Sequence, residues 1–218
     1  MVIAIDGPAG SGKSTIAKIV SKKLGFLYLD TGAMYRALTL KTFQQNVALT
    51  DEPNIVKLAS ELDFIFDAQG TVFLDGKNVS AEIRTPEVTR AIAPVCKIPA
   101  VREYLVDLQR KIAGTNDCVT EGRDTTTVVF PNAEVKVYMV ASPEERANRR
   151  MKEFAAKGTP CDFPTVLDDI VKRDHSDMNR EVGALKKADG AYELDTTGLT
   201  IEQVAEKIFT YVNAHRKT

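Results

Sequence analysis

The sequence predicts an α/β protein in which helices cover both faces of a central parallel sheet of about five strands. Short apolar, β-branched segments, such as VIAI at residues 2–5, alternate with segments of helical periodicity. This alternation is typical of a parallel sheet. The pattern changes after residue 62, where short β-rich segments follow one another. That change predicts a small antiparallel insert within the same chain.

Each predicted element follows from its local pattern. The central strands are expected at residues 2–5, 26–30, 118–124, 135–140 and 192–196. Helices are expected at residues 13–24, 33–45, 52–62, 86–93, 100–113, 143–157, from about 164 to 180, and 201–215. In residues 63–84, the segments DFIFD and TVFLD surround the Asp75-Gly76 pair, a hairpin turn signal. Residues 157–164, KGTPCDFP, form a turn-rich break.

Composition excludes several classes of protein. The 218 residues carry a net charge of −1, which argues against electrostatic binding of nucleic acid. Three cysteines without a CxxC pair and two histidines favour neither a disulfide framework nor a histidine-rich metal site. No apolar segment approaches the roughly 20 residues of a membrane span. We therefore expect a cytoplasmic protein with no membrane partner.

A phosphate-binding loop follows the first strand. Residues 7–14, GPAGSGKS, match the pattern GxxxxGK[ST] between a predicted strand and a predicted helix. Such loops direct backbone N–H groups at the phosphates of ATP or GTP, and the helix N-terminus adds its positive dipole end. We expect Lys13 to reach the β- and γ-phosphates and the Ser14 hydroxyl to bind Mg²⁺. The nucleotide-binding residues are Gly7, Pro8, Ala9, Gly10, Ser11, Gly12, Lys13, Ser14 and Thr15.

Several arginines follow predicted strand ends, where an open α/β sheet binds its ligands. Arginine binds phosphate bidentately and stays charged, which suits a reaction between two phosphorylated molecules. In DTGAMYR, Arg36 could bind an acceptor phosphate, with Tyr35 packed on a sugar or base; a solvated arginine and a core tyrosine are the alternative. In TEGRD, Arg123 and Asp124 could contact phosphate and an exocyclic amine such as N4 of cytosine, or could form a structural pair.

Two further segments are rich in arginine. Arg146, Arg149 and Arg150 lie on neighbouring faces of one predicted helix, where they could form a basic flap or ordinary Glu–Arg pairs. Arg173, Asp177 and Arg180 share one helical stripe, as either a surface network or a clamp for ribose and phosphate. Spacing alone leaves both alternatives open.

Taken together, these motifs resemble the bacterial-type cytidylate kinases, a family of nucleoside monophosphate kinases. The resemblance covers nearly the whole chain. It depends on IDGPAGSGKST, DTGAMYR, EIRTPEV (82–88), PAVRE (99–103), EGRDTTTVVFP (121–131), SPEERANRRM (142–151) and RDHSDMNR (173–180), in that order.

The resemblance implies transfer of the γ-phosphoryl group of ATP to CMP or dCMP, with Mg²⁺. Nothing in the sequence demands more than a monomer, which is therefore the expected state. It implies one domain over residues 1–218, with an acceptor-binding insert at approximately 63–95 and a lid at approximately 155–165. Lys13, Arg123, Arg150 and Arg173 are the implied catalytic residues. The implied acceptor contacts are Thr31, Tyr35, Arg36, Arg102, Arg123, Asp124, Arg173, Asp177 and Arg180, with Arg102 and Asp124 on cytosine and Arg36 and Arg123 on the acceptor phosphate.

The chain departs from the family pattern at three places. Thr31 stands where the family often has serine, and Thr125-Thr126 where it usually has Met-Gly. Ala93 stands where a serine would contact the base, so looser base selection is expected. Two rival functions remain open: a kinase with another acceptor, such as UMP, and a nucleotide-gated switch. The sequence contains no Asn-Lys-x-Asp guanine signature, which argues against a GTPase.

Overall fold

The fold comes from a computed structural model that describes residues 1–67, 70–156, 158 and 161–216. The chain forms two compact units. The first contains residues 1–26 and 118–218, and the second contains residues 27–117. The predicted insert at 63–95 belongs to the second unit, and Lys157, Thr159 and Pro160 of the predicted lid lie outside the described residues.

The larger sheet is parallel and has five strands, which confirms the predicted fold class. Four strands belong to the first unit: β1 (Val2–Asp6), β6 (Cys118–Gly122), β7 (Val135–Val140) and β8 (Tyr192–Asp195). The fifth, β2 (Leu27–Asp30), belongs to the second unit. β1 pairs with β6 on one side and with β7 on the other, and β7 pairs with β8. Both faces of the sheet are buried at β1 and β6, whereas β8 exposes Glu193 and Asp195.

Within the described residues, the α-helices of the first unit are α1 (Lys13–Leu24), α6 (Pro143–Ala156), α7 (Phe163–Met178) and α8 (Ile201–Arg216), of which α1 and α8 pack against strands of the sheet. α1 buries Ile16, Ala17 and Val20, and Gly25 ends it in a left-handed conformation. α6 and α7 pack together around a separate apolar cluster of Ala147, Val166 and Ile170. β1 and α1 thus fix both ends of the phosphate loop, and α6 and α7 carry the basic segments.

Within its described residues, 27–67 and 70–117, the second unit contains four α-helices and the smaller sheet. The helices are α2 (Thr31–Gln44), α3 (Glu52–Ser60), α4 (Pro86–Lys97) and α5 (Pro99–Ala113). β3 (Phe64–Phe66), β4 (Val72–Leu74) and β5 (Lys77–Asn78) form an antiparallel sheet in that order. Asp75 and Gly76 connect β4 to β5 with positive φ angles of 49° and 75°, as a two-residue hairpin requires. The predicted antiparallel insert is therefore confirmed.

Three details differ from the sequence-based prediction. α4 continues through Pro94 to Lys97, because its last turn buries Val95 and Cys96. β6 ends at Gly122, although strand was expected to continue to residue 124, and a π-helical turn, Thr125–Val129, follows. α7 ends at Met178, so Arg180 lies in the segment that follows the helix.

Candidate active site

The phosphate loop connects β1 to α1 with a backbone that only glycine accommodates at its first position. Gly7 has φ +152°, and a Cβ atom there would lie 2.1 Å from the Met139 carbonyl oxygen. Gly12 caps α1 in the left-handed conformation, so the loop ends on a helix N-terminus. This is the strand–loop–helix arrangement that binds phosphate in proteins with the same motif.

Lys13 is buried at the start of α1 and folds back over the loop. Its Nζ donates to the Pro8 carbonyl at 2.7 Å and to Ser11 Oγ at 3.4 Å. Burial, with a smaller contribution from Arg123, lowers the pKa of Lys13 to about 7, against the opposite effect of Glu121, Asp6 and Asp177. A cation with so little hydration is a strong potential partner for an anion.

Ser14 lies beside a carboxylate that the sequence analysis did not identify. Its hydroxyl donates to Glu121 Oε1 at 2.7 Å, and Glu121 is buried near the end of β6. A hydroxyl and a carboxylate are oxygen ligands of the kind that Mg²⁺ prefers. Among the described residues no group of three or more His, Cys, Asp or Glu side chains could hold a metal by itself. Mg²⁺ typically uses few protein ligands beside phosphates and water, so the Ser14–Glu121 pair fits it.

Asp6, at the end of β1, is fully buried and accepts four hydrogen bonds from one short segment. Its Oδ1 accepts from the backbone N–H and hydroxyl of Thr125 at 2.9 and 2.7 Å. Its Oδ2 accepts from the same two groups of Thr126 at 2.7 and 2.6 Å. The backbone is thus fixed both before the phosphate loop and after Arg123 and Asp124. The two threonines that depart from the family pattern each contribute a hydroxyl to this arrangement.

Three arginines surround Asp177 of α7. Arg123 donates from Nε to Asp177 Oδ2 at 2.7 Å, and Arg180 donates to Oδ1. Arg173 Nε lies 4.0 Å from Oδ2. Burial acts to raise the pKa of Asp177, but Arg123, Arg180 and Arg173 lower it to about 2. Arg173, Asp177 and Arg180 therefore form one cluster with Arg123, whose contact with Asp177 helical spacing could not reveal.

The three arginines of α6 have different surroundings. Arg150 pairs with Glu153 at 3.0 Å and lies over the Phe154 ring, so its contacts are within its own helix. Arg146 and Arg149 instead donate to backbone carbonyls of the phosphate loop. Arg149 also pairs with Glu145 at 3.0 Å. The structure therefore does not place Arg150 beside the other predicted catalytic residues. It places Arg146 and Arg149 against the phosphate loop, a contact that the sequence did not predict.

In the second unit, a buried carboxylate binds two arginines. Asp30 ends β2, caps α2 through the Ala33 N–H at 2.8 Å, and accepts from Arg36 at 3.0 Å and Arg84 at 2.8 Å. Burial acts to raise the pKa of Asp30, but Arg36 and Arg84 hold it below its ordinary value. Arg84, from EIRTPEV, thus joins Arg36, which the sequence analysis placed on an acceptor phosphate.

The other predicted residues of the second unit lie nearby in the fold. Thr31 begins α2 and is buried, and the guanidinium of Arg102 on α5 lies 5.7 Å from the centre of the Tyr35 ring. This distance allows a cation–π interaction that orients both side chains. Ala93, on α4, offers no hydrogen-bonding group, as the sequence analysis expected.

Comparisons with known proteins identify the family. The sequence profile of the family described as "Cytidylate kinase" matches residues 3–214. The chain belongs to the cytidylate kinase family.

Similar curated proteins carry the same description. A cytidylate kinase of Pelotomaculum thermopropionicum is 48% identical over 99% of this chain and 97% of its own. A cytidylate kinase of a Geobacillus species is 50% identical over 97% of this chain and 96% of its own. A solved structure of an uncharacterized protein from Eubacterium ventriosum covers 98% of both chains with a TM-score of 0.55, but at 14% identity it supports the fold alone.

Membership of the cytidylate kinase family confirms the resemblance found in the sequence and the interpretation of the chain as a nucleotide-binding kinase. Neither rival function is favoured by these comparisons. Separately, no helix within the described part of the chain has the length and apolar character needed to cross a membrane.

The structure adds residues that the motifs did not single out. Asp6, Glu121 and Asp30 are buried carboxylates at the ends of β1, β6 and β2, each bound to a residue of a predicted motif. Their position at the carboxyl ends of parallel strands, where ligands bind in such sheets, was the available signal.

Proposed function

We propose that the protein transfers the γ-phosphoryl group of ATP to CMP and dCMP, giving ADP and CDP or dCDP. The observation that supports this most is within the first unit. A phosphate loop with a buried lysine shares that unit with Asp177 and the three arginines around it, Arg123, Arg173 and Arg180. A kinase acting on a phosphorylated acceptor needs cationic groups for both sets of phosphates.

The donor nucleotide is proposed to bind residues 7–15. The backbone N–H groups of the loop and the N-terminus of α1 would bind the ATP phosphates. Lys13 would leave the Pro8 carbonyl, which it contacts at 2.7 Å, and donate to the β- and γ-phosphates. A phosphate anion beside the buried Lys13 amine would also favour its protonated form and so restore its full positive charge.

Ser14 and Glu121 are proposed to hold Mg²⁺. The Ser14 hydroxyl already donates to Glu121 Oε1 at 2.7 Å, so an oxygen ligand and a negative charge lie together beside the loop. When bound, Mg²⁺ neutralises phosphate charge that develops during transfer. Glu121 would accept hydrogen bonds from the Ser14 hydroxyl or from water molecules, and would so fix the positions of these groups beside the loop.

The acceptor phosphate is proposed to bind arginines that carboxylates now hold. In the first unit, Arg123, Arg173 and Arg180 lie around Asp177. In the second unit, Arg36 forms an ion pair with Asp30. A carboxylate partner keeps each guanidinium extended and oriented before the substrate arrives, which lowers the entropic cost of binding. Asp177 would also accept from the ribose hydroxyls.

Cytosine is proposed to be recognised by Asp124 and Arg102, with Thr31 and Tyr35 also contacting the acceptor. A carboxylate accepts from the exocyclic N4 amine of cytosine, whereas uracil presents an acceptor at that position. Arg102 would donate to the O2 and N3 acceptors of the base. Ala93 contributes no hydrogen bond, so the discrimination against UMP would depend mainly on these two charged residues.

The reaction needs no strong general base. A phosphate monoester is already largely ionised at neutral pH, since its second pKa lies near 6. Rate enhancement would come from positioning and from charge neutralisation by Lys13, Arg123, Arg150 and Arg173. Arg150 could reach the transferring group only after leaving Glu153. Movement of the insert at 63–95 and the lid at 155–165 is part of the proposal, since closure must exclude water.

The test is a panel of acceptors. ADP formation from Mg-ATP is measured with CMP, dCMP, UMP, AMP, GMP or no acceptor. The proposal expects fast turnover with CMP and dCMP alone. Comparable rates with UMP would contradict the proposed base recognition, and ADP formation that ignores every acceptor would contradict the kinase and favour a hydrolysing switch. The monomeric state, the lack of a nucleic-acid partner and the cytoplasmic location stay predictions from the sequence.

A further inference from the structure

Two arginines of α6 donate hydrogen bonds to backbone carbonyls of the phosphate loop. Arg146 Nη1 donates to the Ala9 carbonyl at 3.0 Å. Arg149 Nη1 donates to the Ser11 carbonyl at 3.3 Å. These residues lie three positions apart on α6, on adjacent turns of one face. One helix face therefore holds two alternate carbonyl groups of the loop.

The geometry of the peptide bond gives these contacts a consequence. In a planar trans peptide, the C=O of one residue and the N–H of the next point in opposite directions. The Ala9 carbonyl shares its peptide plane with the Gly10 N–H, and the Ser11 carbonyl with the Gly12 N–H. When the arginines fix the two carbonyls towards α6, the Gly10 and Gly12 N–H groups must point away from α6. Such N–H groups are the ones that bind phosphate in loops of this kind.

Both guanidinium groups are themselves held at several points. Arg146 is almost fully buried; it also donates from Nε to the Ala141 carbonyl at 3.0 Å and pairs with Asp174 at 2.7 Å. Arg149 also donates to the hydroxyl and carbonyl of Thr196 at 3.0 and 2.6 Å. Neither side chain is free to swing over a ligand without losing most of these bonds.

The backbone of α6 also approaches the loop closely. A Cβ atom built on Gly10, which has φ +76°, would lie 3.1 Å from the Arg146 Cβ and 3.3 Å from its carbonyl oxygen. The helix thus packs directly against the loop, and the two guanidinium groups extend that contact to both sides of Gly10. This close fit distinguishes Arg146 and Arg149 from Arg150, which contacts Glu153 and Phe154 of its own helix.

We propose that Arg146 and Arg149 are positioning residues for nucleotide binding: they orient the Gly10 and Gly12 N–H groups through the Ala9 and Ser11 carbonyls. The inference depends on the proposed binding of a nucleotide by this loop. It excludes a role for these two arginines as members of a flap that closes over the transferring phosphoryl group. Arg146 also connects the loop to α7 through Asp174, three residues before Asp177.

The test measures ADP binding by calorimetric titration, together with KM for ATP and kcat, in folded variants. Arg146→Met and Arg149→Gln are each expected to weaken ADP binding about 10-fold, which corresponds to about 1.4 kcal/mol. KM for ATP should rise by a similar factor, and kcat at saturating substrates should change less than about 3-fold. Arg146→Lys should recover part of the loss, since an ammonium group can replace only some of the bonds of a guanidinium fork. Lys152→Met, an exposed change on the same helix, is the matched control and should bind ADP as the wild type does.

Hydrogen exchange supplies a second readout. Peptides that contain residues 8–12 should exchange faster in nucleotide-free Arg149→Gln than in the wild type, while peptides from the second unit should not change. Arg149 is partly exposed, so this variant tests the idea even if Arg146→Met does not fold.

Three results would overturn the inference: unchanged ADP affinity in folded Arg149→Gln, unchanged exchange of residues 8–12, or a large fall in kcat with ADP affinity retained. The last result would assign these arginines to the transferring group. Failure of the wild type itself to bind ADP would instead contradict the proposed function.

Discussion

Arg123, which follows β6, donates a hydrogen bond from Nε to Oδ2 of Asp177 on α7 at 2.7 Å. The two residues are 54 positions apart, and both are largely buried. Asp177 also accepts a hydrogen bond from Arg180, and its Oδ2 atom lies 4.0 Å from Nε of Arg173. One carboxylate therefore holds together cationic groups from two segments that would otherwise repel one another. The same carboxylate gives the fold a measurable dependence on pH.

Replacing Asp177 should remove part of the acid sensitivity of the fold. Its pKa is lowered to about 2, against about 3.9 in an unfolded chain, so its contribution is present above pH 4 and is lost as the pH falls through 2. Between pH 7 and pH 3 this loss is about 1 kcal/mol. In Asp177→Asn, the fall in the urea unfolding free energy between these pH values should be smaller by that amount. Asp107→Asn, at an exposed surface pair, should behave as the wild type does; an unchanged pH dependence in Asp177→Asn would contradict the prediction.

Asp30 is expected to stabilise the second unit through its charge more than through its helix cap. Asparagine caps helices about as well as aspartate, so Asp30→Asn keeps the cap of α2 but leaves Arg36 and Arg84 without a buried negative partner. Breaking a buried pair in this way should cost about 3 kcal/mol of unfolding free energy. The matched control is Asp51→Asn, at the cap of α3, with a cost below about 0.5 kcal/mol. Equal effects of the two changes in urea unfolding would show that Asp30 acts as a cap alone.

Lys13→Met should separate stability from catalysis. Burial lowers the pKa of Lys13 to about 7, which means that the fold disfavours its charged form. Removing the charge should leave the protein at least as stable as the wild type at pH 7 in urea unfolding. Phosphoryl transfer should fall by about 100-fold or more, because a cation at the transferring group is lost. Normal turnover in a folded Lys13→Met protein would disprove the assignment of the loop.

Asp124→Asn should reduce the preference for CMP over UMP. An amide side chain can accept from the cytosine amine but can also donate to the uracil carbonyl, whereas a carboxylate can only accept. The ratio of kcat/KM for CMP to that for UMP should fall by about 10-fold or more, as loss of one specific pairing implies. The fold should be retained, since asparagine has nearly the size of aspartate and the backbone bond from the Val128 N–H to the carbonyl of residue 124, at 2.8 Å, is kept. Unchanged selectivity would remove Asp124 from base recognition.

The sequence predicted the architecture and the motif-bearing segments because these depend on local pattern. The strand–loop–helix at residues 2–24 and the Asp75-Gly76 hairpin each follow from spacing within a few residues. The end of α4 was missed because burial of Val95 and Cys96 offsets the usual effect of Pro94 on a helix, and no local pattern reveals that burial.

Several contacts in the candidate site join residues that are distant in the sequence, and for that reason could not be predicted. The bonds from Thr125 and Thr126 to Asp6 span 119 and 120 residues. Helical spacing placed Arg146, Arg149 and Arg150 on adjacent faces of α6, but it could not show which of them meets the loop carbonyls. The packing of whole elements in the fold determines which arginine lies close to which carboxylate.

The most direct test of the central claim follows the terminal phosphoryl group itself. ATP labelled at the γ-phosphate is mixed with the protein, Mg²⁺ and CMP, and the products are separated during the first turnovers. If the protein is a kinase for CMP, the label appears in CDP in step with ADP, and almost none appears as inorganic phosphate. Label released as inorganic phosphate at the same rate with or without CMP would contradict the account.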